Sequence, residues 1–413
     1  MKKIDFIRTP IPFFQIMSGG GIRFSTLTEL WGAPKAGKST FCYQCAGNFL
    51  EDYGDKAELK IIDSESAFDD VRMKFTFGLD IDDKRIESVG AQYVEHGMKS
   101  IEDWIVALPK DKYLMVIWDT LSTCPTKSAF TNTRDAKNLE ALSMYSGGQG
   151  DRAKTIKHYA RGLLSALYRK NVCLFFPTQI FSSISPYGPK EQSGDGSAFK
   201  HNLHYSFHFS RWGNSKINKE LGYNTDTEDH ISNFAISNVS LTKSRFSPEF
   251  IDSPIYINNQ MGGLIDSRKS LFLHAHVVDE IIKHGAYYYP KYVFNKDTKK
   301  REYDPSVTGK YWDDLVNDDD VYNYLTKKIL LETRKRHPII DRVYLVQGYP
   351  ELDKYYSCDD ITERNESIKE NTVKSKFDLV SFLSVDNQDN NNTLEVNNVR
   401  SKVNKGQEKV KQK

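Results

Sequence analysis

Short, dense apolar runs alternate with amphipathic stretches through the first half of the chain. Leu27-Thr-Glu-Leu-Trp31, Leu59-Lys-Ile-Ile-Asp63, Lys112-Tyr-Leu-Met-Val-Ile-Trp-Asp119 and Val172-Cys-Leu-Phe-Phe-Pro-Thr-Gln179 are each bounded by polar or turn-forming residues, as buried strands are. Helical patterns lie between them: one from Lys38 to about Leu50, one over Ala67 to Leu79, one over 100–107, and a long one ending near Arg169. Arg85 to Val89 reads as a further short, peripheral strand. Apolar strands alternating with helices at this spacing predict βαβ units and a mainly parallel central sheet flanked by helices, an α/β fold.

From Leu203 the period shortens to two. Tyr205 to Ser210, Phe234 to Thr242 and Ile255 to Asn258 read as edge strands that complete the sheet, with antiparallel pairing open to them. Helical stretches at Ala275 to His284 and Asp319 to Arg334 flank an aromatic, hairpin-like section, Tyr287 to Phe294, and predict a small α+β unit. The asparagine-rich run from Asp386 and the lysine-rich ending cannot bury a core. The expected division is an extended lead-in over 1–25, a core over 26–268, a small C-terminal domain over 269–348 and a disordered tail over 349–413.

Charge changes this picture little. Lys and Arg number 57 against 55 Asp and Glu, so there is no global basic excess to attract nucleic acid, and any such surface must be local. Five scattered cysteines suit a reducing compartment. Cys42 and Cys45 share C-x-x-C spacing, but no second pair completes a zinc site, which predicts packing instead. No long apolar segment is present, and the expectation is a cytoplasmic protein with no membrane contact.

Chemistry enters where the first strand empties into a glycine-bearing turn. Gly32, Ala33, Pro34, Lys35, Ala36, Gly37, Lys38, Ser39 and Thr40 complete a phosphate-binding loop at the start of a helix. Glycines let successive backbone N–H groups face phosphate oxygens, and the helix N-terminus adds partial positive charge. Lys38 reaches the β- and γ-phosphates, and the Ser39 hydroxyl suits Mg²⁺. A nucleoside triphosphate with Mg²⁺ is therefore the expected ligand.

Three strand ends supply candidates for hydrolysis. Asp119 closes the third core strand, where a carboxylate can help hold Mg²⁺. Glu65 follows the second, as a base for water or as a carboxylate complementing a helix start. It lies beside the loop if its strand neighbours the loop strand. Gln179 ends the fourth, and either senses a γ-phosphate or satisfies buried backbone groups. A long aperiodic loop, Ile180 to Phe199, follows Gln179, and a second irregular stretch covers Tyr145 to Lys154. Both combine glycines with bases, which suits a phosphate backbone.

In order and spacing these segments resemble the RecA-type recombinase ATPases, the UvsX recombination proteins of tailed phages among them. The resemblance rests on Arg8 to Pro12, Glu29 to Thr40, Ile62 to Glu65, Asp119 to Ser122, Thr178-Gln179 and Lys243-Ser-Arg245, and covers roughly residues 5–270. It implies a RecA-like P-loop ATPase core that uses ATP and Mg²⁺, binds single-stranded and double-stranded DNA, and assembles with itself as a filament in the cytoplasm of a phage-infected host. It further implies that Glu65 is the general base, Asp119 the magnesium-associated acid and Gln179 the γ-phosphate sensor. Asp69 and Arg72 would contact the adenine. Lys243 and Arg245 would reach a neighbouring protomer's γ-phosphate; read without the family, they are two exposed charges on an edge strand.

The DNA loops implied lie near 140–154 and 180–199, with Gly147, Gly148, Arg152, Lys154, Lys190, Gly194, Gly196 and Lys200 as candidate contacts. Three features depart from the family. The segment before the core is short, so filament formation calls for residues 1–18 to act as an extended strand on a neighbour. The tail ends basic, which suits DNA, and it could also dock mediator or single-strand-binding proteins. Pro186 and Pro189 stiffen the second loop. A ring-forming hexameric helicase or motor is the alternative reading; a non-catalytic nucleotide-gated scaffold has nothing to recommend it while Glu65 is in place.

Overall fold

The structure, a computed structural model, describes residues 6–18, 20–65, 68–128, 149–182, 191–193, 200–211, 234–246, 251–285, 287–290, 293–295, 300–302 and 309–336. The expected tail lies outside them. One large mixed sheet organises the chain. Its parallel part comprises β3 (Thr26–Gly32), β4 (Ala57–Asp63), β5 (Ile86–Val89), β6 (Tyr113–Asp119), β7 (Val172–Ser182) and β9 (Tyr205–Arg211), in the order β5-β4-β6-β7-β3-β9. Antiparallel β10 (Phe234–Ser244), β11 (Ile251–Asn258) and β12 (Leu264–Asp266) continue it beyond β9, and β8 (Glu191–Ser193) pairs with the end of β7.

Every residue of β3 is buried, which is why a nearly continuous apolar run marks it. Helix α2 (Lys38–Tyr53) lays Phe41, Cys42, Cys45 and Phe49 into an apolar layer on one face, where all four are fully buried. Helices α4 (Val94–Ala107) and α5 (Gln149–Leu167) cover the other face with Met98, Ile101, Ile156 and Leu163. Burying one such side chain is worth about 1.5–3 kcal/mol, so the two layers hold the sheet. Cys42 and Cys45 are buried free thiols, as packing requires.

Several sequence expectations change. The strand over Tyr205 to Arg211 is not an edge: it lies between β3 and β10 and runs parallel to β3. Its alternation reflects two different environments, with Tyr205, Phe207 and Phe209 in the apolar layer and Ser206 on the opposite face, donating to buried Glu29 at 2.8 Å. The lead-in is not extended. Strand β1 (Phe6–Ile7) pairs with β2 (Ile22–Arg23), and α1 (Pro12–Met17) lies between them in sequence. Ile7, Ile11, Phe14 and Ile22 join the apolar layer under α2, and Arg8 pairs with Glu51 at 2.6 Å and Asp52 at 2.9 Å. Residues 6–18 are thus packed on their own chain.

The third helix, α3, is shorter than the pattern suggests, Asp70–Phe77, because Asp69 caps it and Gly78 ends it in a left-handed turn. Beyond the sheet, α6 spans Ser267–Val277 rather than continuing to His284. Asp266 caps its start, and the chain then turns through Asp279 at φ 57° into β13 (Ile281–His284). β13 pairs with β14 (Tyr287–Pro290), and β15 (Val293–Asn295) with β16 (Lys300–Glu302). Helices α7 (Trp312–Val316) and α8 (Asp319–Arg336) complete the described chain, and α6 packs along β11.

Candidate nucleotide site

All the parallel strands point their C-terminal ends the same way, and the candidate residues sit on those ends. Gly32 of β3 is in register with Gln179 of β7, and Asp63 of β4 with Asp119 of β6. β7 lies between β3 and β6, so Gln179 stands between the phosphate loop and Asp119. β4 is not the neighbour of the loop strand. Glu65 nevertheless reaches the group because the chain folds back after Asp63. The Asp63 carboxylate accepts from the Glu65 and Phe68 amides, each at 3.0 Å, and the Ser64 amide donates to the Asp119 carbonyl at 2.9 Å. The Gln179 side-chain amide then donates to Glu65 Oε1 at 3.1 Å, and the Gln179 backbone amide to the Ser122 hydroxyl at 3.2 Å.

The loop is shaped by two glycines with positive φ. Gly32 has φ 141°, and a Cβ there would lie 1.9 Å from the Phe209 carbonyl oxygen. The next amide, Ala33, donates to that same oxygen at 3.1 Å. Gly37, at φ 100°, starts α2 with no side chain capping it, which leaves the helix N-terminus open to an anion. Ala36 is fully buried beneath the turn, and its amide donates to the Ala33 carbonyl at 3.3 Å. The Lys38 ammonium donates to the Gly32 and Ala33 carbonyls at 2.9 and 2.8 Å. Burial holds Lys38 below the usual lysine range, opposed by the charges of Asp119 and Glu65.

Asp119 is half-buried at the end of β6. Burial raises its carboxyl above the usual range and Glu65 and Asp63 push the same way, while hydrogen bonds from Ser39 and Tyr43 oppose them. The Tyr43 hydroxyl donates to Asp119 Oδ2 at 3.1 Å. The Asp119–Thr120 peptide bond is cis. A half-buried carboxylate bonded to a hydroxyl offers Mg²⁺ hard oxygen of the kind it prefers, and Asp119 and Ser39 are the residues that would hold it. Among the described residues no three His, Cys, Asp or Glu side chains are grouped to hold a metal.

A cleft of about 430 Å³ opens at the loop and the first turn of α2. Lys35, Gly37, Lys38, Ser39 and Thr40 line it together with Arg72, Ile257, Asn259, Gly262 and Gly263. Arg72 donates through Nε to the Gly262 carbonyl at 2.9 Å, and Asp69 accepts from the Arg72 amide at 3.0 Å as the cap of α3. Sequence reasoning missed the 259–263 turn. Its signal was the turn-forming cluster Asn258-Asn-Gln-Met-Gly-Gly263 directly after a strand, with both glycines at positive φ.

Lys243 and Arg245 lie elsewhere. Lys243 is opposite Ser206 and Ser244 opposite Tyr205, which itself pairs with Thr28, four residues or about 13 Å before Gly32. They sit toward the end of the sheet opposite their own phosphate loop. There the Lys243 ammonium donates to the Lys200 carbonyl, and Arg245 to the His201 carbonyl at 2.9 Å. The Lys200 ammonium lies 5.1 Å from the Trp31 ring centre. Arg152 and Lys154 are on helix α5 rather than in a loop. The Arg152 guanidinium donates to the Cys124 and Leu121 carbonyls, the latter at 2.9 Å, while Lys154 is exposed. Gly147, Gly148, Lys190, Gly194 and Gly196 lie outside the described residues.

No protein-family model matches the chain, and no curated protein matches it in sequence. Among the described residues no helix is long and apolar enough to cross a membrane.

Proposed function

We propose that this chain is an ATP-dependent DNA recombinase of the RecA type. On this reading it polymerises on single-stranded DNA, pairs it with homologous duplex and exchanges strands, with DNA-stimulated ATP hydrolysis. The observation that carries it is the hydrogen bond from Gln179 to Glu65 beside Lys38 and Asp119, three residues before β7 ends in the strand pairing of Ile180 to Ser182 with β8, where the sequence pattern places the start of a loop. A base for water and a γ-phosphate sensor in direct contact are what a loop-coupled hydrolase needs.

The residues divide the work. The glycine turn and the α2 N-terminus hold the phosphates, and Lys38 leaves the loop carbonyls for phosphate oxygens. Glu65 accepts a proton from the attacking water, and Gln179 relays the state of the γ-phosphate along β7 to its pairing with β8. Ser39 and Asp119 would hold Mg²⁺, which when bound neutralises charge on the phosphates. Lys243 and Arg245 serve a neighbour's site, a role that their distance from their own loop supports.

A closed-ring helicase or motor is the second reading. It is favoured by the packing of residues 6–18 on their own chain, where they cannot also lie as a strand on a neighbour. ATPase rates with and without single-stranded DNA, with electron microscopy of the same sample, test the proposal. Stimulation that vanishes in Lys38→Ala, together with helical filaments, is expected. Turnover indifferent to single-stranded DNA sinks it, and closed rings select the alternative.

A further inference from the structure

Tyr43 brings a phenol into the apolar layer under the sheet. It sits on α2 among Phe41, Cys42 and Cys45 and is only 4% exposed. Its ring contacts Phe68, with centroids 6.4 Å apart, and Phe77, at 5.7 Å. Burying a phenol there is costly unless its hydroxyl is paired. The pairing is specific: the hydroxyl donates to Asp119 Oδ2 at 3.1 Å.

Tyr43 follows Ser39 by four residues, so the two project from one face of the helix. The Tyr43 hydroxyl reaches Asp119 from that face, and Ser39 lies near enough to favour the ionised carboxylate. An ionised carboxylate only accepts, so a Ser39 hydroxyl that donates to it keeps its lone pairs for a cation. The Tyr43 donor, carried on a helix, orients one oxygen of the carboxylate before any ligand arrives. The Phe68 contact extends the link to the turn that carries Glu65, because the Phe68 amide is held by Asp63.

We infer that Tyr43 is a positioning residue for the cation site, holding Asp119 in the orientation that receives Mg²⁺. The inference rests on the nucleotide site proposed above. Tyr43 touches neither nucleotide nor metal; it acts through Asp119. Groups that orient a metal-binding carboxylate typically affect metal affinity by roughly 10- to 100-fold.

The test uses the full chain with N-methylanthraniloyl-ADP as the probe. Binding is measured in EDTA and across a Mg²⁺ titration for wild type, Tyr43→Phe and Tyr43→Met, the last a second apolar filling of the slot should the first fold poorly. Expected is a rise of roughly tenfold in the Mg²⁺ concentration for half-saturation, with affinity in EDTA within about twofold of wild type. In an Asp119→Asn background the Tyr43→Phe change should add nothing. Wild-type Mg²⁺ dependence in a folded Tyr43 variant, even one of lowered thermal stability, overturns the inference alone. A wild-type chain that binds no nucleotide overturns the proposed function and the inference with it.

Discussion

The Gln179 side-chain amide donates to Glu65 Oε1 across 3.1 Å, joining β7 to the turn after β4 although the two residues are 114 positions apart. β6 lies between those strands, so the contact exists only because the chain doubles back at Asp63.

If Glu65 is the base, Glu65→Gln keeps a partner for Gln179 but cannot take a proton from water. Its kcat for ATP should fall roughly 10²- to 10⁴-fold while nucleotide affinity holds. Steady-state turnover beside a nucleotide-binding titration separates the two. Loss of both would place Glu65 in binding instead.

Gln179→Ala removes the other half of the contact. DNA-independent turnover should persist, and the acceleration by single-stranded DNA should fall at least severalfold. Equal stimulation in variant and wild type would deny Gln179 its role as a relay.

Lys243 and Arg245 sit too far from their own loop to complete it. A Lys243→Ala/Arg245→Ala chain and a Lys38→Ala chain, each inactive alone, should recover part of the ATPase when mixed, because some interfaces then pair an intact loop with intact cations. Absence of recovery at every ratio, with co-assembly verified by electron microscopy, would count against a shared site.

Gly32→Ala places a methyl group against the Phe209 carbonyl at a left-handed φ. The expected cost is at least about 2 kcal/mol, seen as a drop in Tm of roughly 4 °C or more. An unchanged melting curve would mean that β9 is not clamped to the loop.

Burial holds His204 and His274 down to about 4 from the ordinary 6.5, with the charges of Arg245 and Lys243 adding at His204. Both are neutral in the fold, whereas the unfolded chain takes up protons below 6.5. Their contribution to stability is therefore full above pH 6.5 and is lost as pH falls toward 4. The Leu27 amide donates to His204 Nδ1 at 3.1 Å, a bond that protonation removes. Urea midpoints should decline over that window, and less steeply in His274→Phe, which keeps a ring stacked on Phe13. An identical slope in the variant would exclude His274 as a cause.

The core strands and the loop were legible because each carries a local signal: Leu114 to Trp118 and Val172 to Phe176 are continuous apolar runs, and Gly32 to Ser39 is a spaced motif. Strand order was not legible, since nothing in Leu59 to Asp63 says which strand it joins. The alternation of Tyr205 to Ser210 predicts an edge strand because a period of two is what a half-solvated strand shows. In fact Ser206 is buried and bonded to Glu29, and His208 stacks on Trp31 at 4.0 Å. Arg152 read as a base offered to DNA, yet its guanidinium holds backbone carbonyls of its own chain. Asn259 and Gly262 escaped notice because their part in the cleft depends on the long-range contact between Arg72 and Gly262.

The Phe209 carbonyl that receives the Ala33 amide has a thermodynamic consequence. The entrance of the phosphate loop takes its shape from strand pairing with β9, so the entropy of ordering it is already lost when the sheet forms. On the proposed function, a triphosphate would meet a turn that is largely preorganised, and its affinity would not be discounted by loop closure. Loosening β9 should weaken nucleotide binding mainly through entropy, although no residue of that strand lines the cleft.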